Sequence, residues 1–414
     1  MWPNSTDSRR RSPSKIVSLD LGRKHKPDHW LLIWAACLLT IGLVVIYAIS
    51  PALAETYNVS NNFYVIKQLI AIGLSIIAFY IAYKIPLQFW KQAYKPLLIV
   101  AGIATVLALV IPVNPSYPAH RWVRLGSFSF QSVELVKFAG LIWLAGFLAT
   151  KIKLGEIKSN SKTLKPLAYI LVGMGFIVAG IQSDLGSAGV IVVMIGTMAY
   201  VAGLPLKRIT LILAIVLIGA ILAVSISPYR RARLETFLHP QSNCQGSGYQ
   251  ACQALIAVGS GGTAGLGLGS SVQAYGYLPE AANDSIFAIY AEKFGFIGCV
   301  ILLAVYMALF TRMKNIAERT NDDFTRLVVI GILAWISVQT LVNVGAMIGI
   351  FPLKGITLPF ISYGGTSVVF TTAALGLVFQ ASQYTSYSTA KLSTKEDNES
   401  SRDFRSNSLR RANY

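Results

Sequence analysis

LLIWAACLLTIGLVVIYAIS, residues 31–50, runs for twenty positions without one charged side chain. A helix rises about 1.5 Å per residue, so such a run crosses about 30 Å of hydrocarbon. Further apolar runs follow near 65–83, 97–112, 132–149, 167–182, 187–204, 209–227, 284–310, 327–350 and 366–382. With the first, near 30–50, they make ten. In lipid every backbone N–H and C=O must be satisfied within the protein, which favours a helix for each run. The expected fold class is an all-α polytopic membrane protein of about ten transmembrane helices. Bulk composition agrees. Of the 414 residues 54% are hydrophobic and 13% charged, against about a quarter charged in a soluble domain. The first run lacks the small-residue cleavage pattern of a secretory signal and is expected to stay as an anchor.

A net charge of +18 invites nucleic acid, but the basic residues are placed otherwise. Arg9, Arg10, Arg11, Lys15, Arg23, Lys24 and Lys26 precede the first run. Others gather at Lys84–Lys95, Lys151–Lys165, Lys207–Arg208, Arg312–Arg326 and Lys391–Arg411. Ten spans put all of these on one side, and the positive-inside tendency makes that side the cytoplasm. Both termini are then cytoplasmic. Loops near 113–131, 182–187, 228–283 and 351–365 face outward. The stretch 228–283, between spans seven and eight, is a large extracytoplasmic loop, too long for a mere connector. The organisation expected is a disordered basic tail over 1–29, a ten-helix membrane domain over 30–382 and a disordered tail over 383–414.

Polar residues near hydrocarbon need partners or a wet cavity. In RWVRLGSFSFQSVELVKF, 121–138, Glu134 and Lys137 are three apart and share a helix face. They read as an internal salt bridge or as part of a site. Arg121 and Arg124 suit a phosphate, and Trp122 suits an interface or the same ligand. Asp184, in IQSDLGSAG, either caps the next helix or serves a ligand. Arg230, Arg231 and Arg233 form an external basic cluster that fits an anionic partner such as a lipid diphosphate, or anionic headgroups. The segment VGSGGTAGLGLGSS, 258–271, lacks the context of a nucleotide loop. It reads as flexible backbone or a plain hairpin loop. FPLKGITLPFISYGGTS, 351–367, carries Lys354 and is tolerated at membrane depth only against protein or a wet cavity. Cys37 and Cys299 fall in spans as small buried thiols. A disulfide between Cys244 and Cys252 is chemically allowed on an oxidising side. No metal-ligand spacing stands out, so no cofactor is assigned, although a divalent cation fits the chemistry.

YLPEAANDSIFAIYAEKFGFIG, 277–298, places Glu280 and Asp284 at the mouth of an apolar helix. Glu292 and Lys293 follow two turns on and read as helix-packing partners. Asp284 reads either as a helix cap or as a proton acceptor.

Five stretches, in this order, resemble the shape, elongation, division and sporulation (SEDS) family of bacterial membrane glycosyltransferases. They are RWVRLGSFSFQSVELVKF, QSDLGSAG, GSGYQACQALIAVGSGGTAGLGLG, YLPEAANDSIFA and KGITLPFISYGGTS, and they cover most of the chain from span two to span ten. The division member is the nearer likeness and the rod-elongation member the alternative. The resemblance implies polymerisation of lipid II at the outer face of the cytoplasmic (inner) membrane, at the septum, with undecaprenyl diphosphate released. It also implies a class B penicillin-binding protein and other divisome proteins as partners. Asp284 matches the family's essential aspartate, which would act as general base. Glu134 and Lys137 match its Glu-x-x-Lys pair, and Asp184 its turn aspartate. Arg121, Trp122, Arg124, Arg230, Arg231, Arg233, Glu280 and Lys354 join these as candidate substrate-binding residues. There are departures. Ala282 stands where the family has histidine, Ala274 where lysine is common, and Ser132 and Ser183 where it has proline. A lipid II flippase and a non-catalytic scaffold are the competing functions.

Overall fold

The computed structural model describes residues 26–110, 122–125, 128–226, 231, 235–238, 244–246, 248–353 and 355–385. Arg121, Arg230, Arg233 and Lys354 lie outside the described residues, as do most of the two expected tails. Of Trp122 and Arg124 only the backbone is described.

The order is α1 (His29–Tyr57), α2 (Phe63–Lys84), α3 (Leu87–Gln92), α4 (Tyr94–Val110), β1 (Trp122–Leu125), β2 (Phe128–Gln131) and α5 (Ser132–Lys153). Then come α6 (Lys165–Gly175), α7 (Leu185–Val201), α8 (Leu206–Ile226), α9 (Tyr249–Ser260), α10 (Ile286–Glu318), α11 (Asp323–Met347) and α12 (Gly365–Ala381). π-helical turns Asn160–Leu164 and Phe176–Ile181 flank α6 and extend it.

Each of the ten apolar runs falls on one of these helices. Seven, among the described residues, are long and apolar enough to cross a membrane. α4 and α7 are apolar but only 17 residues long, and α8 has 21. The protein is mostly helical, but not purely so. β1 and β2 pair antiparallel, Trp122 opposite Gln131, and lead directly into α5. The long stretch 228–283, expected to be a loop, contains α9.

Helix ends follow local chemistry. The Asp28 carboxylate accepts from Trp30 N at 3.0 Å and starts α1. Asp322 does the same for α11 through Thr325 N at 2.9 Å. Asn58, with φ of 51°, closes α1 in the left-handed conformation common at helix C-termini. α2 lies along α12, and α11 packs on α5, α7 and α10. Small residues permit the closeness. A side chain on Gly376 of α12 would meet the Phe79 carbonyl of α2 at 2.7 Å.

Basic segments converge at one end of the bundle. Arg312 lies 3.8 Å from Asp28, and Asp28 N donates to Ser382 Oγ at 3.0 Å. Arg208 donates to the Lys158 carbonyl, and Glu156 pairs with Lys151 and Lys162. The first turns of α5, α7, α10 and α12 lie at the other end.

Candidate active site

Asp284 is half-buried, two residues ahead of the first helical residue of α10. The N-cap position belongs to Ser285, whose hydroxyl donates to the Pro279 carbonyl at 2.9 Å. The segment before it is a tight turn. Glu280 takes φ of 52°, a left-handed value, and its carbonyl accepts from Asn283 N and Ser285 N. The Glu280 carboxylate accepts from the Asn283 amide. Glu280 thus shapes the turn that presents Asp284.

Three successive carbonyls of this segment are held from one side. Tyr363 N donates to Ala282 O at 2.8 Å, Ser362 Oγ to Asn283 O at 2.7 Å, and Asn343 Nδ2 to Asp284 O at 2.7 Å. Two of these donors come from the Pro-rich segment 351–364. That segment enters the bundle, with Ile356, Leu358, Phe360, Ile361 and Ser362 all buried. Its backbone passes so close to α1 that a side chain on Gly42 would meet Ile361 Cα at 2.7 Å. It therefore satisfies the sequence expectation by packing on protein. Burial pushes the Tyr363 hydroxyl up to about 12, so it is a neutral phenol at physiological pH.

Asp284 borders a small cleft of about 10 Å³, room for roughly one water molecule. Its described lining is Gln250 of α9, Asn343, and the apolar Val342, Ala346, Met347, Leu353 and Ile356, with Gly355. Gln250 also donates to Ser285 Oγ at 3.2 Å. Among the described candidate residues, Asp284 alone lines this cleft.

Glu134 and Lys137 sit together elsewhere, in the first turns of α5. Lys137 Nζ lies 2.8 Å from Glu134 Oε1, with both side chains almost wholly buried. It also donates to Gln339 Oε1 at 2.9 Å and lies 5.0 Å from the centre of the Trp335 ring. Trp335 Nε1 donates to the same Gln339 oxygen at 2.8 Å. Gln339 Nε2 then reaches Thr357 O at 3.0 Å. This network ties α5 and α11 to the inserted segment, with Lys137 buried inside it.

Asp184 is 1% exposed and caps α7, accepting from Ser187 N and Ser187 Oγ at 2.9 Å each. Arg231 is exposed. Cys244 and Cys252 are bonded, with Cα atoms 5.7 Å apart. The bond fastens the start of α9, two residues from Gln250. Among the described residues no group of three or more His, Cys, Asp or Glu is placed to hold a metal. Near Asp284 the carboxylate of Glu280 is engaged by Asn283. Ala274 and Ala282 are buried, so packing replaces the family's lysine and histidine there. Ser132 Oγ accepts from Gln182 Nε2 at 2.8 Å, a contact proline could not make. Ser183, with φ of 55°, adopts a conformation closed to proline.

The glycine-rich stretch is not a plain hairpin, because it bonds to the backbone of α10. Leu266 N and Gly267 N donate to the carbonyls of Glu292 and Lys293, and Phe296 N and Ile297 N donate back to Gly262 and Thr263. α10 breaks at Gly295, φ 63° and ψ −165°, to allow it. The Glu292 carboxylate accepts from Val272 N at 3.0 Å, Gln273 N at 3.2 Å and Ser271 Oγ. Lys293 donates to Leu268 O. These two residues fasten the loop instead of packing helices.

Sequence reasoning missed Gln250, Gln339, Asn343 and Ser362. Gln339 and Asn343 carry a signal: two amides four apart in the otherwise apolar LVVIGILAWISVQTLVNVGAM.

Residues 29–387 match the family model described as cell cycle protein, FtsW/RodA/SpoVE. A probable peptidoglycan glycosyltransferase FtsW of Coxiella burnetii is 34% identical over 359 residues, 85% of this chain and 95% of that protein. Stage V sporulation protein E of Bacillus subtilis is 36% identical over 88% of this chain and 99% of its own. Among solved structures, a peptidoglycan synthase complex that couples polymerisation and crosslinking superposes with a TM-score of 0.67 at 24% identity. It covers 86% of this chain and 97% of that one. RodA of Thermus thermophilus gives 0.60 at 23% identity over 87% of this chain and 98% of its own. These two likenesses concern the fold.

Proposed function

The chain belongs to the FtsW, RodA and SpoVE family of cell cycle proteins, and we propose that it is a peptidoglycan glycosyltransferase of cell division. It polymerises lipid II into glycan strands at the outer face of the cytoplasmic membrane. The observation that carries this reading is Asp284 at the lip of a cleft, its backbone held at three successive carbonyls. Preorganisation of this kind is what a general base needs.

In the reaction the 4-hydroxyl of an acceptor GlcNAc attacks the anomeric carbon of the undecaprenyl-linked donor. Its proton passes to the Asp284 carboxylate. The bond from that carbon to the diphosphate oxygen breaks, and undecaprenyl diphosphate departs with the electron pair. Positive charge for the leaving group comes from Arg121, Arg124, Arg230, Arg231, Arg233 and Lys354.

Ten spans, with the basic end in the cytoplasm, fit the convergence of basic segments at one end and of Asp284 at the other. The likeness to a peptidoglycan synthase complex supports a class B penicillin-binding protein as partner. The FtsW relatives support septal placement.

The test uses vesicles containing the protein, its transpeptidase partner and lipid II. Glycan polymer is the expected product. Lipid II crossing the bilayer without polymer would establish a flippase instead, and partner recruitment with neither would establish a scaffold.

A further inference from the structure

We propose that Asn343 is a positioning residue for Asp284, and that Gln339 joins it to the buried Glu134–Lys137 pair. This rests on the reading of Asp284 as the general base. Asn343 is 2% exposed. Its single amide nitrogen donates to Asp284 O at 2.7 Å and to Ile356 O at 2.6 Å. One side chain therefore straps the catalytic segment to the inserted segment. An amide does this at that size because its nitrogen carries two hydrogens, one for each carbonyl, where a hydroxyl carries one. Asn343 also lines the cleft that Asp284 borders, so the strap acts within the site.

One turn earlier on the same helix face, Gln339 grips the next residue of the inserted segment through Thr357 O and Thr357 Oγ1, at 3.0 and 3.3 Å. Its oxygen receives Lys137 Nζ at 2.9 Å, and Lys137 binds Glu134. The path from α5 to Asp284 is thus continuous: ion pair, Gln339, Thr357–Ile356, Asn343, Asp284. Each link is a hydrogen bond or a peptide bond; the bonds to Glu134, from Lys137 to Gln339 and from Asn343 to Ile356 are buried, and those to Thr357 and Asp284 are part-buried. A change at the ion pair shifts the carbonyls that Asn343 holds, and through them the aim of the carboxylate.

The test measures lipid II polymerisation in proteoliposomes, with the transpeptidase partner present, across pH. Asn343→Asp keeps the size and removes the donors. It should lower kcat on the order of 100-fold, the scale of an ångström of misplacement, with KM for lipid II nearly unchanged. The added carboxylate should move the acid limb of the pH profile upward. Asn343→Ala should lower kcat without moving that limb. Lys137→Met combined with Asn343→Ala should fall by less than the product of the single losses, as coupled sites do. Native kcat in folded Asn343 variants, or a loss confined to KM, would overturn the proposal. Should neither Asn343 variant fold, as judged by melting in detergent, Ser362→Ala carries the test. It removes the donor to the adjacent Asn283 carbonyl, and native kcat there overturns the proposal equally. Asp284→Asn is the control. Full activity in it defeats the general-base reading itself, whereas an inactive Asp284→Asn beside fully active Asn343 variants defeats only the positioning role.

Discussion

Gln339 and Asn343 stand one turn apart on α11 and hold adjacent carbonyls, those of Thr357 and Ile356. The inserted segment therefore meets α11 as a fixed strap, and it passes that order on to Ala282, Asn283 and Asp284. A short polar network in a largely apolar bundle thus joins the first turns of α5 to the turn that carries Asp284.

The ion pair at the start of that network should matter through its completeness. Lys137→Met leaves Glu134 as an unpaired buried acid and should cost about 3–5 kcal/mol. Lys137→Met with Glu134→Leu removes both charges and should cost less than Lys137→Met alone. Thermal melting in detergent compares the two. A double variant less stable than Lys137→Met would show that the charges contribute net stability.

The backbone ladder between 262–267 and 292–297 depends on missing side chains. A Cβ on Gly295 would run into the backbone of Gly265 and Thr263 at a positive φ. Gly295→Ala should cost about 1–3 kcal/mol and lower polymerisation while Asp284 remains. Gly73→Ala is the control, because nothing lies within 4 Å of the added atom. Equal melting temperatures in the two variants would sink this account.

The Cys244–Cys252 bond closes a short loop, with a separation of 8 residues. Loop closure of that size stabilises by about 2–3 kcal/mol. Replacing both cysteines by serine should loosen the start of α9, and with it Gln250 at the cleft. Peptide mapping without reductant should find the bond in the native protein. Activity of the double serine variant should fall as hydrogen exchange over 248–252 rises, and unchanged exchange would refute the link.

At the opposite end Glu156 holds the turn between α5 and α6. The hydrogen bonds it accepts from Lys162 and Lys151 hold its carboxyl below the ordinary glutamate range. A carboxylate with a depressed folded pKa gives stability that is present above the unfolded value and lost as pH falls through the folded one. Protection of the amides at 154–164, corrected for their intrinsic exchange rates, should therefore fall only on acidification below about 4. Glu156→Gln should show the lowered protection already at neutral pH. Because this carboxylate lies at the surface and only partly buried, the effect should stay local.

Much of the fold is legible from apolar run length alone, since lipid leaves a chain few alternatives to helix. The hairpin 122–131 escapes that rule because its strands are short, and its backbone is satisfied by pairing. The candidate site is legible at Asp284 through motif order and a carboxylate at a helix mouth. The rest is hidden by distance. Glu280 and Asp284 lie close in sequence, yet only Asp284 borders the cleft. Gln250, Asn343 and Ser362 come from remote segments, and hydrophobic pattern does not say which polar residue meets which carbonyl. Glu292 and Lys293 look like helix-packing charges until the break at Gly295 places the loop against them.

The central claim is that Asp284 takes the proton from the attacking sugar hydroxyl. Lipid II polymerisation by native protein and by Asp284→Asn, each reconstituted with the transpeptidase partner, tests it most directly. The account predicts a drop of at least about 100-fold in rate for Asp284→Asn, the scale of lost general-base catalysis, with the complex still forming. Glycan made at the native rate by Asp284→Asn would contradict it.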